Sequence, residues 1–409
     1  MRVALVVPVF PQISETFIAS KAVGLLDRGW DVHVVCGASQ EPQWDAFGPD
    51  HRVHDLRERV QVSPPLAPRW TSAVTASRQV ARLRRAPHGV VRRYLSDRTS
   101  PLPRRLRNLV LDADLLALAP DIIHFEFGSL APERMGLGTR LGAAITVSFR
   151  GYDLNYVGLD QTDYYQDVWD HADGIHLLGE DLWRRAVRRG APVDLPHTLI
   201  APAIDPVSIK ATPARAGSLG RADQPLRVLS IGRLHWKKGY DYALEAVAAL
   251  RDQGLAVEHR IVGDGDLLEA VAFWRHQLGL DDEVTLLRSV PPAEVARQLA
   301  WADVLLHAAT SEGFCNAVIE AQAHGVPVVC SDADGLPENV AHEVTGLVVP
   351  RRNPKALAEG LARLATHPTT RAAMGRAGPE RVEQHFRLDD QLDAWERFYE
   401  DAVTRRARV

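Results

Sequence analysis

Short apolar runs rich in β-branched residues alternate along the chain with longer stretches whose apolar positions follow a helical period. Residues 3–9, 31–36, 122–125, 144–149, 174–178 and 198–201 predict strands, and amphipathic stretches such as 18–28 and 182–189 lie between several of them. Strands alternating with helices predict a parallel sheet covered by helices. The pattern then restarts. Residues 226–231, 258–262, 283–287, 304–307 and 326–330 predict a second set of strands, separated by helices near 240–253, 266–278, 292–301 and 316–324. Between the two sets, 201–225 is rich in proline, alanine and glycine and has little periodicity, which places a domain boundary there. The expected organisation is α/β throughout: a Rossmann-like domain over 1–205, a second over 206–385, and a terminal segment over 386–409. Two such sheets facing each other would form an interdomain cleft at the carboxyl ends of their strands, the edge where open α/β sheets bind ligands.

Composition narrows the class. A chain of 409 residues with 46% hydrophobic and 24% charged positions is globular and too long for one ordinary core. Its net charge of −4 argues against general affinity for nucleic acid. Three cysteines, Cys36, Cys315 and Cys330, cannot pair completely, which fits a reduced, cytoplasmic protein better than a secreted one. The opening apolar run is short, contains Pro8 and lacks a small-residue cleavage site, so it predicts a buried strand rather than a leader. No run of roughly 18 apolar residues occurs, so no transmembrane helix is predicted and any membrane contact would be peripheral, at the inner face.

The most informative segment is Ser311-Glu312-Gly313-Phe314-Cys315-Asn316-Ala317-Val318-Ile319-Glu320, which follows a predicted strand and opens a helix. Helix N-termini present unpaired N–H groups and partial positive charge, so the turn around Gly313, Phe314, Cys315 and Asn316 could hold a diphosphate, with Gly313 admitting close approach. Two carboxylates bracket it, ~12 Å apart if the span is helical. Glu312 could accept from the hydroxyls of a transferred sugar and Glu320 from those of a ribose; a cap acid and a solvated helix glutamate are the competing reading. A second loop, Gly232-Arg233-Leu234-His235-Trp236-Lys237-Lys238-Gly239, also joins a strand to a helix. Arg233 and Lys238 could neutralise two phosphates and stabilise a departing nucleotide, Lys237 being the solvated member; a basic surface loop is the alternative. Gly263-Asp264-Gly265 predicts a turn that shapes a nucleotide pocket, and a base could rest near Arg288. The acidic pair Asp332 and Asp334 predicts a solvated turn rather than a metal site.

Gly-Arg-Leu-x-x-x-Lys-Gly, Gly-Asp-Gly and Glu-Gly-Phe-x-Asn-x-x-x-Glu-Ala, in this order, resemble the retaining glycosyltransferase family 4, whose members have the GT-B fold of two facing Rossmann-like domains. The resemblance continues through Gly325-Val326-Pro327-Val328-Val329 and Gly335-Leu336-Pro337-Glu338. It implies that Arg233 and Lys238 contact a diphosphate and that Glu312, with Gly313 and Phe314 beside it, contacts the donor sugar. It further implies that Glu320 contacts the ribose and that no metal or other cofactor is needed. The terminal aromatic-rich helix, 386–402, would by the same resemblance cross back to the first domain.

The N-terminal half matches more loosely. The stretch from Pro8 to Ile18 resembles the opening of family members that build bacterial surface polysaccharides. Ser14 or Glu15 would cap the next helix or touch an acceptor or phosphate. His124-Phe125-Glu126-Phe127-Gly128 and Phe149-Arg150-Gly151-Tyr152-Asp153 are further acceptor-side candidates. Relatives carry histidines where this chain has Glu126 and Arg150. Arginine stays protonated and cannot serve as a base, so Arg150 would bind an anion or pair with Glu126 or Asp153. The arginine-rich stretch 78–107 reads as a solvated helical arm or as a weak peripheral contact with anionic lipid. Tyr164-Tyr165-Gln166-Asp167-Val168-Trp169 reads as a sugar-stacking surface or as helix packing.

Together these expectations define a metal-independent, retaining glycosyltransferase that moves a sugar from a nucleoside diphosphate to an acceptor hydroxyl. Polysaccharide, glycoconjugate or natural-product glycosides are the candidate products. A nucleotide-sugar epimerase of the same fold and a non-catalytic sugar-nucleotide binding protein are the competing classes. A nicotinamide enzyme is disfavoured because no Gly-x-Gly-x-x-Gly follows the first strand. The base, donor sugar, acceptor and oligomeric state are not encoded in any motif.

Overall fold

The computed structural model describes residues 1–12, 15–49, 51–63, 77, 79–96, 101–205, 209 and 211–408, with only the backbone of residue 104. The chain divides into two compact units. One comprises Met1–Leu178, Leu182–Ile200 and Leu392–Val409; the other comprises Gly179–Asp181 and Ala201–Gln391.

The first unit is built on strands β1 (Arg2–Val9), β2 (Asp31–Ala38), β3 (Val60–Val62), β4 (Ile122–Phe125), β5 (Ala144–Phe149), β6 (Gly174–Leu177) and β7 (His197–Leu199). They pair in parallel in the order β3-β2-β1-β4-β5-β6-β7. The run Val3–Val7 is buried on both faces because helices cover both sides, which is why it reads as continuous rather than alternating apolar sequence. The second unit contains β8 (Leu226–Ile231), β9 (Val257–Val262), β10 (Val284–Arg288), β11 (Val304–His307), β12 (Val328–Ser331) and β13 (Gly346–Val349). These are parallel in the order β10-β9-β8-β11-β12-β13. Each unit therefore reverses its strand order between its first and fourth strands, the position where doubly wound sheets receive ligands.

The expected strands and helices recur within a few residues, but the edge strands β3 and β13 were not anticipated. They are three and four residues long and only partly buried, too short to set a period. The cap expected from Glu15 is also corrected. It occupies the N-cap position of helix Thr16–Asp27, yet its side chain makes no capping hydrogen bond; Ser14 lies outside the described residues. The terminal helix Leu388–Arg406 buries Leu392, Trp395, Phe398, Tyr399 and Ala402. Trp395, Phe398 and Tyr399 pack on His124, and Tyr399 on Trp30, within the first unit. Among the described residues no helix is long and apolar enough to cross a membrane.

Two glycines tie together the carboxyl ends of β8, β9 and β10. Gly232 (φ 154°) donates its N–H to the Val262 carbonyl at 3.0 Å, and Gly263 (φ 152°) donates to the Arg288 carbonyl at 2.8 Å. A Cβ on Gly263 would overlap the Gly232 carbonyl oxygen. Gly263→Ala is therefore expected to destabilise the second unit by about 3 kcal/mol or more in urea titration. Gly254→Ala, at φ 80° with nothing within 4 Å, should cost only about 1 kcal/mol.

Candidate functional site

In the second unit the loop after β8 makes a short turn, Trp236–Lys238, closed by Gly239 in the left-handed region (φ 64°). Gly239 packs so closely on the Ala308 carbonyl that a Cβ would overlap it, and the Thr310 N–H donates to the Lys237 carbonyl at 2.7 Å. The two loops are thus locked side by side, and Lys238 meets Glu312. Its ammonium donates to Glu312 Oε2. His307, the last residue of β11, places Nε2 3.3 Å from the same oxygen and Nδ1 3.9 Å from Cys315 Sγ. His307, Glu312 and Cys315 are all buried.

Burial disfavours the Glu312 carboxylate, but Lys238 and His307 outweigh it and hold its pKa at about 2. Burial likewise disfavours protonated His307, yet Cys315 and Glu312 raise it to about 9. The Cys315 thiol moves the opposite way: burial raises it, and His307 and Lys238 bring it below its ordinary value. The His307, Glu312 and Cys315 donor atoms lie within 4.8 Å of one another and form a set that could ligate a metal. Lys238 already places a positive charge on the shared carboxylate oxygen, which opposes a second cation there.

The other donor-side candidates divide. Gly232 lies beside Lys238 and accepts from the Tyr240 hydroxyl at 2.7 Å. Gly263 joins that loop to Arg288, whose side chain pairs with Asp264 at 3.0 Å and whose backbone is left-handed (φ 60°). Cys315 is the N-cap of helix Asn316–Ala323, and its N–H donates to Asn339 Oδ1 at 3.3 Å. Asn316 and Gly313 are partly buried beside it. Phe314 packs edge-on against Phe386 at 5.8 Å. Glu320 is partly buried, burial raises its pKa, and no described residue gives its carboxyl a hydrogen bond; a solvated helix glutamate does not describe it. Arg233, rather than Lys237, is the exposed cation of its loop, and burial lowers Lys237. Asp334 is also no solvated turn residue: its side chain is 5% exposed, accepts from Ser311 Oγ at 2.6 Å and pairs with Arg351 at 3.0 Å.

In the first unit Glu126 follows β4 and Arg150 follows β5. Arg150 Nη2 lies 3.0 Å from Glu126 Oε2, its Nε donates to the Glu126 carbonyl at 3.0 Å, and its guanidinium stacks 4.1 Å from the Phe17 ring centroid. Lys21 pairs with the other Glu126 oxygen and sits over Trp395. Glu126 is 0% exposed; its carboxyl lies well below the ordinary range because Lys21, His124 and Arg150 outweigh the burial that would raise it. Asp153 is not the arginine's ionic partner. Its oxygens accept the Ser129 and Arg150 N–H groups, each at 2.9 Å, opening helix Gly151–Asn155. His176 Nε2 donates to the Ile200 carbonyl (2.9 Å), so Ser148 donates to His176 Nδ1 (2.7 Å) and accepts from His124 Nε2 (2.9 Å). Burial holds both histidines neutral, His124 at about 4.

Tyr165 and Trp169 pack on Phe149 in the core rather than forming a stacking surface. In the arginine-rich stretch Arg82 pairs with buried Asp114 and Arg105 donates to the Leu95 carbonyl, whereas Arg84, Arg85, Arg92, Arg93 and Arg107 are exposed; Arg78 and Arg98 lie outside the described residues. Three site residues escaped the sequence reading. His307 was absorbed into an apolar strand, Lys21 into the apolar face of a helix, and His176 into a buried strand. A polar residue interrupting or ending such a run was the available signal.

Two Rossmann-ordered parallel sheets, each with buried charged groups beyond its first and fourth strands, are the sheets of a GT-B fold. Residues 213–381 match the family described as glycosyl transferases group 1. The chain is 28% identical to the putative colanic acid biosynthesis glycosyltransferase WcaL of Escherichia coli strain K12, over 94% of this chain and 96% of that one. It is 28% identical to the amylovoran biosynthesis glycosyltransferase AmsK of Erwinia amylovora, over 92% and 94%. Anabaena HepE, solved in complex with UDP and glucose, has a similar fold, with a TM-score of 0.72 at 15% identity over 97% of this chain and 98% of that one.

Glu126→Gln should leave two buried cations undercompensated and destabilise the first unit by about 3–5 kcal/mol in denaturant titration. Glu312 has a folded pKa of about 2, below its ordinary 4.5, so its stabilising contribution is complete above 4.5 and is lost as the pH falls towards 2. Glu312→Gln should therefore be less stable at neutral pH and show a shallower loss of stability across that window, followed by fluorescence-monitored unfolding.

Proposed function

We propose that this chain is a retaining, metal-independent glycosyltransferase that transfers a sugar from a nucleoside diphosphate to an acceptor hydroxyl during bacterial polysaccharide synthesis. The observation that carries the reading is the Lys238–Glu312 ion pair set beside the N-terminus of helix Asn316–Ala323. Lys238, the exposed Arg233 and the N–H groups at that helix start supply the positive charge a diphosphate needs, in place of a metal. Glu312, oriented by Lys238 and His307, accepts from hydroxyls of the donor sugar. Glu320, desolvated and without a described partner, gains most from a ligand that brings hydroxyls, which suits a ribose.

The retention proposed here does not run through a covalent intermediate on Glu312. A carboxylate held at about 2 by two buried cationic neighbours is a weak nucleophile. The reading is therefore front-face displacement. The bond from the anomeric carbon to the diphosphate oxygen breaks, the acceptor oxygen bonds to the same face, and the acceptor proton passes to the departing diphosphate. The names of WcaL and AmsK favour a saccharide acceptor of an exopolysaccharide repeat. A cytoplasmic enzyme touching anionic lipid weakly through its exposed arginines fits such an acceptor.

Lys238→Ala should reduce turnover on the cognate donor by roughly 10²–10³-fold. Glu320→Ala should weaken nucleotide-sugar binding by about tenfold. Thermal-shift titration with UDP, GDP, ADP and dTDP identifies the base, and NMR of the product gives its anomeric configuration. Turnover unaltered by Lys238→Ala, or an inverted product, would sink the reading.

A further inference from the structure

The opposite, amino-terminal edge of the second sheet carries a cavity of about 60 Å³. Arg227 near the start of β8, Asp303 just before β11 and Pro327 just before β12 line it, together with Arg215, Trp301 and Arg371. Three arginines and one aspartate line it, an excess of two positive charges. Arg371 is 0% exposed and donates through Nη1 and Nη2 to the carbonyls of Leu364 (2.6 Å), Ala365 (3.3 Å), Arg215 (2.7 Å) and Gly217 (2.8 Å). Its Nε is nevertheless buried without an acceptor. Arg227 Nε is in the same condition, and no described residue accepts a hydrogen bond from any nitrogen of that guanidinium. Asp303 Oδ2 accepts from the Arg227 N–H at 2.9 Å and from Arg215 Nη1 at 2.8 Å, while no described residue donates to Oδ1.

Buried donors left without acceptors are costly, and an anion beside them offsets their uncompensated charge. The cavity therefore presents guanidinium donors, surplus positive charge and one free carboxylate oxygen. We propose that it binds a single tetrahedral oxyanion that carries a proton, namely monohydrogen phosphate. Arg227 donates to its charged oxygens, Arg371 adds its charge from behind the cavity wall, and Asp303 Oδ1 accepts from its P–O–H. That last contact selects the ligand: sulfate has no proton at neutral pH and would set an oxygen against a carboxylate. The site is distinct from the donor loops. It lies at the start of β8 and Arg233 beyond its end, a separation of roughly 20 Å along a six-residue strand.

Isothermal titration of the full chain with inorganic phosphate, and separately with sulfate, tests the assignment. Arg227 makes no side-chain hydrogen bond to a described residue, so Arg227→Gln should fold, and its unfolding midpoint checks that. Phosphate binding should be saturable in the wild type and in Arg233→Gln, and about tenfold weaker or worse in Arg227→Gln. Arg227→Lys should recover part of it, and sulfate should bind about tenfold more weakly than phosphate. No saturable binding, unchanged affinity in Arg227→Gln, or loss confined to Arg233→Gln, which would assign the heat to the donor loops, overturns the proposal. Equal affinity for sulfate overturns the role of Asp303. None of these outcomes depends on glycosyl transfer.

Discussion

Charge buried at the carboxyl end of a sheet has to be neutralised where it stands, and this constraint shapes both halves of the molecule. In the second unit Glu312, beyond β11, takes its cation from Lys238, beyond β8. In the first unit Glu126, beyond β4, takes one from Lys21, on the helix after β1. The correspondence has a topological cause. Each sheet reverses its strand order between its first and fourth strands, so the segments leaving those two strands run side by side instead of diverging. A carboxylate on one and a cation on the other meet there without long connecting loops. The glycines near this edge serve the same end: Gly239 presses the Lys238 turn against Ala308, and Gly263 presses against Gly232, leaving Lys238 little choice but Glu312.

The departures from the usual family histidines read as one physical event. A guanidinium brought beneath the surface at Arg150 requires a nearby counter-charge, because an unpaired buried charge is far costlier than a paired one. Glu126 supplies it through both its side chain and its carbonyl. Lys21 then balances the second carboxylate oxygen, and Trp395 covers the ammonium. Because Lys21 and Arg150 both press positive charge on His124, and burial removes its water, the remaining histidine is driven neutral. The substitution at one position therefore fixes the chemistry of its neighbours.

Much of this was legible in the chain, and the rest was hidden for identifiable reasons. Long apolar runs gave the central strands, since a strand buried on both faces announces itself in composition alone. The motif loops were found because each sits between a strand and a helix. Partnership was not legible: Lys238 and Glu312 are 74 residues apart, and nothing local says they touch. Exposure was misjudged for the same reason. Arg233 and Lys237 look interchangeable in sequence, but the Lys237 carbonyl is anchored by Thr310, which draws that residue inward while Arg233 stays in water. His307 and Lys21 vanished into apolar runs because periodicity arguments treat one polar residue in such a run as noise, although burial makes it the costliest residue there.

The protonation states of the first unit decide whether any of its own buried groups could take up a proton. Arg150 is permanently charged and committed to Glu126. His124 and His176 are neutral, and Ser148 ties them into a chain that ends on the Ile200 carbonyl. Glu126 lies well below the ordinary carboxylate range and is closed off by Lys21, Arg150 and His124. A base must be both unprotonated and able to gain stability from the proton, and none of these four groups meets both conditions. Under the proposed reaction the departing diphosphate does: it gains negative charge as its bond to the sugar breaks, so its basicity rises when the acceptor proton becomes acidic. The arrangement that makes Arg150 useless as a base is thus compatible with a transfer in which the leaving group performs that task.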